Sequence, residues 1–364
     1  MIYMQAKVYS DGSHYIAIPR TTNPYRRRVH PKETEIEVTE EAETPLQDIT
    51  ARKFENLSFE ADNSENEIPE KEAEETESKF FPTKEPVKVV RKMTRKELFN
   101  KLYDDTMSLR KNERKAKLIA GMRPYFRNEQ VTRDYVEANL RRKKRNLICR
   151  RIRFTRKANL QRFNYFVTFT YDGKIHTEES FKKGLSKCLQ NLHTRKGWKY
   201  MGVWERSPKK GRLHFHGLLY IPEGAMQGEL FEKKDYNFNT HRIQTTVQNT
   251  YFNARFGRCD FESIVHKNHM GYAVAYIMKY MGKSEEKIVY SRGLPDHFVT
   301  DVEEDDVVTR VGIEDRKLLL FDDFKCRYAG LLIGRVCAEA IRKLCTLERR
   351  ARRIKNRQNI CRYA

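Results

Sequence analysis

An α+β fold, an antiparallel sheet flanked by helices, is predicted for this chain by three observations in its sequence. Segments 165–170, 199–205, 212–221 and 260–265 are short runs rich in β-branched and aromatic residues, the composition of strands. Segments 178–195 and 271–283 read as helices, the first carrying Phe181, Leu185, Cys188, Leu189 and Leu192 at helical spacing. The turn Ser207-Pro208-Lys209-Lys210-Gly211 joins two of the strands into a hairpin, which requires antiparallel pairing.

Taken in order, the chain begins with a small hairpin segment, 1–30, in which two β-like runs flank Ser10-Asp11-Gly12-Ser13. Residues 31–90 hold 18 acidic and 7 basic residues and few aromatics, and they include prolines 45, 69, 82 and 86. Such a segment has too little apolar area to offset its ordering entropy, so it is expected to be an acidic disordered linker. It could fold back on a basic surface or serve as a solubilising spacer. Residues 91–160 form a basic helical region with Leu98, Leu102, Met107 and Leu118 among charged residues, ending in ten cations within 141–157. The candidate catalytic core is 161–290. The remainder, 291–364, is expected to be a basic C-terminal helical region whose pattern resumes at Leu331 and closes on Arg349, Arg350, Arg352 and Arg353. It reads either as a nucleic-acid arm or as a solvated helix end. There is no internal repeat.

Charge narrows the partner. The formal net charge is +22, and removing the net −11 of the acidic segment leaves +33 on the rest, which favours a polyanion, nucleic acid first and anionic membrane second. The best approach to a membrane span, residues 328–341, contains Arg335 and Glu339 and falls short of the roughly 18 apolar residues required. The first residues lack the layout of a secretory signal, so the expected location is intracellular. Seven scattered cysteines without a Cys-x-x-Cys pair are expected to be reduced thiols.

Two constellations carry chemistry. In a strand, residues i and i+2 share a face, so His214 and His216 project together with Phe215 behind them, half of a divalent-metal site. Across the hairpin, Glu205 can supply a third, harder ligand. On a helix, Tyr276, Lys279, Tyr280 and Lys283 form one stripe, with Tyr272 a further turn back. Only about one phenol in a thousand is ionised at neutral pH, so a tyrosine nucleophile needs help. A metal on the histidines can polarise a phosphodiester while a lysine beside the phenol steadies developing charge. The product would be a covalent phosphotyrosine that a hydroxyl can reverse, and a second tyrosine one turn away permits two successive transfers. The bland alternative is two structural histidines and an aromatic core stripe in a non-enzymatic nucleic-acid binder.

The ordered set Phe166-Val167-Thr168-Phe169-Thr170-Tyr171, His214-Phe215-His216 and Tyr276-Ile277-Met278-Lys279-Tyr280-Met281-Gly282-Lys283 resembles motifs I, II and III of rolling-circle replication initiators, the HUH endonucleases. The two-tyrosine form is similar to the initiators of small single-stranded DNA phages and related plasmids. Gly202-Val203-Trp204-Glu205 resembles the strand that often supplies the acidic ligand. The resemblance implies an HUH endonuclease domain at 161–290, with the histidines on a central strand and the tyrosine helix across from them. It also implies Mg or Mn, a single-stranded or hairpin origin as substrate and a 5′-phosphotyrosine intermediate, in the cytoplasm of a bacterial host. By position, Tyr276 is the primary nucleophile, Tyr280 the alternate, and Lys279 and Lys283 the phosphate-side cations; Tyr272 matches no family tyrosine. HUH transposases share the chemistry, whereas relaxases usually place the tyrosine before the histidines. Phe163, Tyr165 and Trp198 are candidate base-stacking faces. Gly282-Lys283-Ser284 resembles the end of a phosphate-binding loop, but Ile277 stands where its first glycine belongs, so no ATPase is expected and a host helicase and DNA polymerase are the implied partners.

Overall fold

The computed structural model describes residues 1–20, 35–41, 88–207, 211–237, 241–281, 288–311 and 317–360. In chain order the elements are β1 (Ile2–Ser10), β2 (Tyr15–Ile18), β3 (Glu35–Glu41), β4 (Lys88–Thr94), α1 (Arg95–Asp105), α2 (Lys111–Met122) and α3 (Glu129–Gln161). The middle of the chain follows with β5 (Tyr165–Thr170), α4 (Glu178–Lys196), β6 (Lys199–Arg206), β7 (Leu213–Tyr220), β8 (Leu230–Asn237), β9 (Arg242–Asn249), α5 (Thr250–Phe256), β10 (Cys259–Ser263) and α6 (Lys267–Tyr280). The last part holds β11 (Val289–Tyr290), β12 (Phe298–Glu303), β13 (Val307–Val311), β14 (Lys317–Leu320), β15 (Lys325–Tyr328), β16 (Leu331–Arg335) and α7 (Ala338–Ile360). The chain is α+β, and every strand pairing described is antiparallel.

Two compact units group residues 28–138 and the rest, 1–27 with 139–364. In the smaller, β3 and β4 pair from Glu35↔Thr94 to Glu41↔Lys88. This corrects the expectation of a structureless acidic segment for 35–41; residues 42–87 lie outside the described residues. The reason is cross-strand charge: Glu37 lies opposite Lys92 and Glu41 opposite Lys88, pairings that opposite charges favour. Thr94 then starts α1 with a capping box, its hydroxyl accepting from the Glu97 amide while Glu97 accepts from the Thr94 amide. Leu98 and Phe99 of α1 and Leu118 and Met122 of α2 are buried.

The larger unit contains two sheets. The first, β10-β5-β7-β6-β11, has β7 at its centre. On one face Phe169, Phe215 and Trp204 stand in register across β5, β7 and β6 and pack with Phe181, Leu185 and Leu189 of α4 and Phe252 of α5. Gly202 and Gly217 face each other on β6 and β7 beneath the Phe215 ring; a β-carbon on Gly202 would come within 2.5 Å of both that ring and the His216 backbone oxygen. The opposite face of the sheet meets Ala273, Val274 and Ile277 of α6 and Phe154 of α3. The β6–β7 turn closes with Gly211 at φ +62, left-handed backbone that favours glycine, and with the Ser207 amide donating to the Arg212 carbonyl.

The second sheet, β13-β14-β2-β1-β12-β15-β16, corrects two expectations. The N-terminal hairpin is present, but as inner strands of a seven-stranded sheet rather than a separate segment. Residues from 298 to 335, expected to be helical or irregular, supply five strands of that sheet, and only α7 is helical; Leu331, expected to resume a helix, begins β16. The partner of β12 is β1, almost the whole chain away, so no local periodicity reveals the pairing. Ala340, Ile341 and Leu344 of α7 bury against the sheet. The polar stretch after Pro222 forms the β8–β9 ribbon and α5.

Phe215 is fully buried directly behind the two histidines. Phe215→Ala should therefore destabilise the protein by about 3–5 kcal/mol, the cost of removing a core aromatic, read as a lower midpoint in urea unfolding.

Candidate active site

The central strand decides where the histidines point. Alternation sends Leu213, Phe215 and Leu219 into the aromatic core and His214, His216 and Leu218 to the α6 face. Register then sets their neighbours in two rows: Thr170, His214 and Glu205 across β5, β7 and β6, and Thr168, His216 and Val203 beside them. Thr170 Oγ1 lies 2.8 Å from His214 Nδ1, and Thr168 Oγ1 lies 3.0 Å from His216 Nδ1. The Glu205 carboxylate reaches diagonally past its own row to His216, with Oε2 2.6 Å from Nε2. Both partners are largely buried, at 6% and 13% side-chain exposure, so this hydrogen bond is shielded from water. Burial, with the neighbouring His216, pushes the His214 imidazole below the usual histidine range and favours its neutral form.

Helix α6 brings its tyrosines to the same place. Ile277 is fully buried and anchors the helix, and Tyr276 and Tyr280, one turn apart, flank it. The Tyr280 ring lies parallel to His216 at 5.3 Å between centroids, and Tyr276 meets His216 edge-on at 5.4 Å. The two phenol rings touch at 5.2 Å. Tyr276 is 37% exposed, while the Tyr280 phenol is pushed up first by burial, then by its hydrogen bond with Tyr276 and by the charge of Glu205. Lys279 Nζ sits 5.6 Å over the Tyr276 ring, within reach of a cation–π contact. Tyr272 is 75% exposed and shares no ring contact with the group, and Lys283 lies outside the described residues.

Five sequence-predicted residues, Glu205, His214, His216, Tyr276 and Tyr280, thus meet, with Lys279 at the rim. Among the described residues, no three His, Cys, Asp or Glu side chains converge closely enough to hold an ion outright. Glu205 is paired with His216, while His214 stands beside them with its ring centroid 6.2 Å from that of His216. Three residues not assigned a role from sequence join the site: Thr168, Thr170 and Phe166, whose ring stacks parallel to His216 at 6.4 Å and meets Tyr276 edge-on at 5.6 Å. The signal for the threonines was their i, i+2 spacing, which matches that of the histidines.

The candidate stacking faces do not serve that role: Phe163 and Trp198 are core residues, and Tyr165 packs half-buried against Phe261. The basic run divides similarly. Arg156 lies 3.9 Å over the Tyr9 ring and Lys157 donates to the Leu294 carbonyl, whereas Arg150 and Arg153 are exposed. Thr155 Oγ1 is 3.5 Å from Met278 Sδ, so this part of α3 runs alongside the tyrosine helix. No described helix is long and apolar enough to cross a membrane. Cys149, Cys188, Cys259, Cys326, Cys337 and Cys345 are unpaired.

A family model for replication-associated proteins of the ORF2 type matches residues 164–285, about one third of the chain and nearly the span of the five-stranded sheet with α6. The match supports reading the chain as a Rep protein with a role in rolling-circle replication. Neither curated proteins nor solved structures give a further match.

Removing the carboxylate should leave His216 Nε2 buried and unpaired. Glu205→Ala is expected to cost about 1–3 kcal/mol in urea unfolding carried out with chelator present. An unchanged midpoint would show that the contact contributes nothing to the fold.

Proposed function

We propose that the protein nicks one strand of origin DNA and rejoins it through a 5′-phosphotyrosine intermediate, starting and ending rolling-circle replication as a two-tyrosine HUH endonuclease. The observation that carries this reading is the placement of both α6 tyrosines on the His216 imidazole, beside Glu205. A purely structural aromatic stripe does not need two phenols held against a paired imidazole and carboxylate.

His214, His216 and Glu205 are the residues that would hold a divalent cation, Mg or Mn. Their fit rests on the threonine contacts, which engage Nδ1 of both rings and leave Nε2 as the remaining ligand atom, and on the low pKa that keeps His214 neutral. When bound, such an ion supplies Lewis-acid polarisation of the scissile phosphodiester. The protein's own residues account for the rest. Tyr276, the more exposed phenol and the one beneath the Lys279 ammonium, attacks phosphorus through Oη. The phosphorus–O3′ bond breaks, the phenolic proton passes to solvent, and the departing oxygen takes up a proton to become a free 3′ hydroxyl. Lys279 steadies the charge that builds on phenol and phosphate. Because the protein–DNA link is itself a phosphodiester, a 3′ hydroxyl can attack it, restoring the strand and returning the proton to Tyr276.

Tyr280 has a different part. Its raised pKa makes it the poorer nucleophile in the resting state, which suits a second transfer after Tyr276 is occupied. Arg150 and Arg153, exposed on α3, are available for the phosphates of a single-stranded or hairpin origin. A host helicase and DNA polymerase would supply unwinding and synthesis.

The test is incubation with supercoiled plasmids carrying candidate origins and Mn, followed by mapping of the protein–DNA adduct. Tyr276→Phe should slow first-strand nicking by at least about 10³-fold, the scale for loss of a nucleophile. Tyr276→Phe with Tyr280→Phe should abolish the adduct, and an adduct surviving in the double variant would falsify the assignment. Salt-sensitive binding with no covalent species in the wild type would leave a non-enzymatic DNA binder.

A further inference from the structure

We infer that Thr168 and Thr170 are positioning residues for the metal site, hydroxyl groups that aim Nε2 of each histidine at the ion and follow its ring through a change of tautomer. The inference rests on the proposal that His214 and His216 hold a cation. It begins from repetition: two threonines, two residues apart on β5, stand opposite two histidines, two residues apart on β7, and each pair makes the same contact, Oγ1 to Nδ1 at 3.0 and 2.8 Å. A single such contact could be incidental, but two in register fix both rings in the same sense. An imidazole otherwise has two near-equivalent orientations about its terminal torsion, one offering Nδ1 and the other Nε2. With Nδ1 committed to threonine, Nε2 is the atom left for a ligand.

The choice of hydroxyl has a further meaning. Ligating histidines commonly donate their second N–H to a carboxylate or backbone carbonyl, groups that only accept and therefore hold one tautomer. A threonine hydroxyl has one hydrogen to give and two lone pairs to offer. In the structure, His216 Nε2 faces the Glu205 carboxylate at 2.6 Å. An ionised carboxylate accepts only, so the ring hydrogen sits on Nε2, Nδ1 is an acceptor, and Thr168 donates. A ring whose Nε2 lone pair is given to a cation carries its hydrogen on Nδ1, and Thr168 must then accept. The exchange moves one ring hydrogen from Nε2 to Nδ1 through solvent, with no net gain or loss of protons. Threonine satisfies both states, so neither leaves a half-buried hydroxyl and a buried imidazole nitrogen unpaired.

The experiment is a calorimetric Mn²⁺ titration of the full chain, comparing wild type with Thr168→Val, Thr170→Val, Thr168→Ser, Thr170→Ser and His214→Ala with His216→Ala. The wild type should take up Mn²⁺ in a way the paired alanine variant loses. Each valine variant, close in shape and a strand former, should bind about 10–100-fold more weakly, the scale for second ligand-shell losses, and each serine variant should recover most of that affinity. His-dependent binding that valine leaves unchanged overturns the threonine inference alone. Wild-type binding indifferent to the histidines removes the metal proposal and the inference with it. Should a valine variant fail to fold, the wild type with ¹⁵N-labelled histidine gives the answer directly: the His216 shifts should report Nε2–H without ion and Nδ1–H with Mg²⁺. One unchanged tautomer in both states, with Mg²⁺ bound, overturns the proposal.

Discussion

Strand β7 is bounded on both edges by β5 and β6 and packed on both faces, and the arrangement of the site follows from that confinement. Each of its side chains is assigned to one of two environments that cannot be exchanged. A slip of one residue in pairing would drive His214 and His216 into the Phe169–Trp204 core and carry Phe215 out beneath the tyrosines. The register is therefore held by the burial of Phe215 and by the close approach of Gly202 and Gly217, where even one added methyl group would strike the ring. The polar rows on the other face, threonine to histidine to glutamate, inherit their positions from an apolar jigsaw they never touch.

Helix α6 obeys a parallel rule. Its inward residues, Met270, Ala273, Val274 and Ile277, belong to the core shared with Phe154 and Leu218, and this fixes the rotation of the helix. Tyr276 and Tyr280 fall at the boundary between buried and exposed faces, where a phenol can rest on an imidazole and still be reached from outside. The same boundary makes them unequal. The edge-on ring keeps access to solvent and a neighbouring ammonium, and the stacked ring gives up both for contact with His216.

How much of this could be read beforehand follows from the range of the interactions. The histidine pair, the tyrosine spacing, the hairpin joining Lys199–Arg206 to Leu213–Tyr220 and the α4 stripe are set by residues within a few positions of one another, and all were legible. Glu205 was legible as a neighbour across the turn, but its diagonal reach to His216 rather than to His214 opposite depends on side-chain packing that spacing does not encode. Thr168 and Thr170 looked like strand-forming residues because that is what they also are; their second role exists only once β5 lies beside β7. Phe163 and Trp198 illustrate the reverse error, aromatics whose chemistry suits DNA but whose surroundings are apolar. Glu35–Glu41 was hidden by composition, since acidic residues form a strand only when a basic partner strand is supplied from about 50 residues away.

The seven-stranded sheet was the least visible part. Its centre joins β1 to β12, and the Gln5 amide donates to Asp301 across 296 positions of sequence. A ribosome adding about 5–20 residues per second releases the first strand roughly 15–60 s before its partner exists. Through that interval the β1–β2 hairpin, marginal alone, has an unpaired edge, while the strands bearing the histidines already have all their neighbours but the short β11. Birth order thus gives the molecule two ages: a nuclease sheet finished early, and an opening strand that waits for nearly the entire message before it can close.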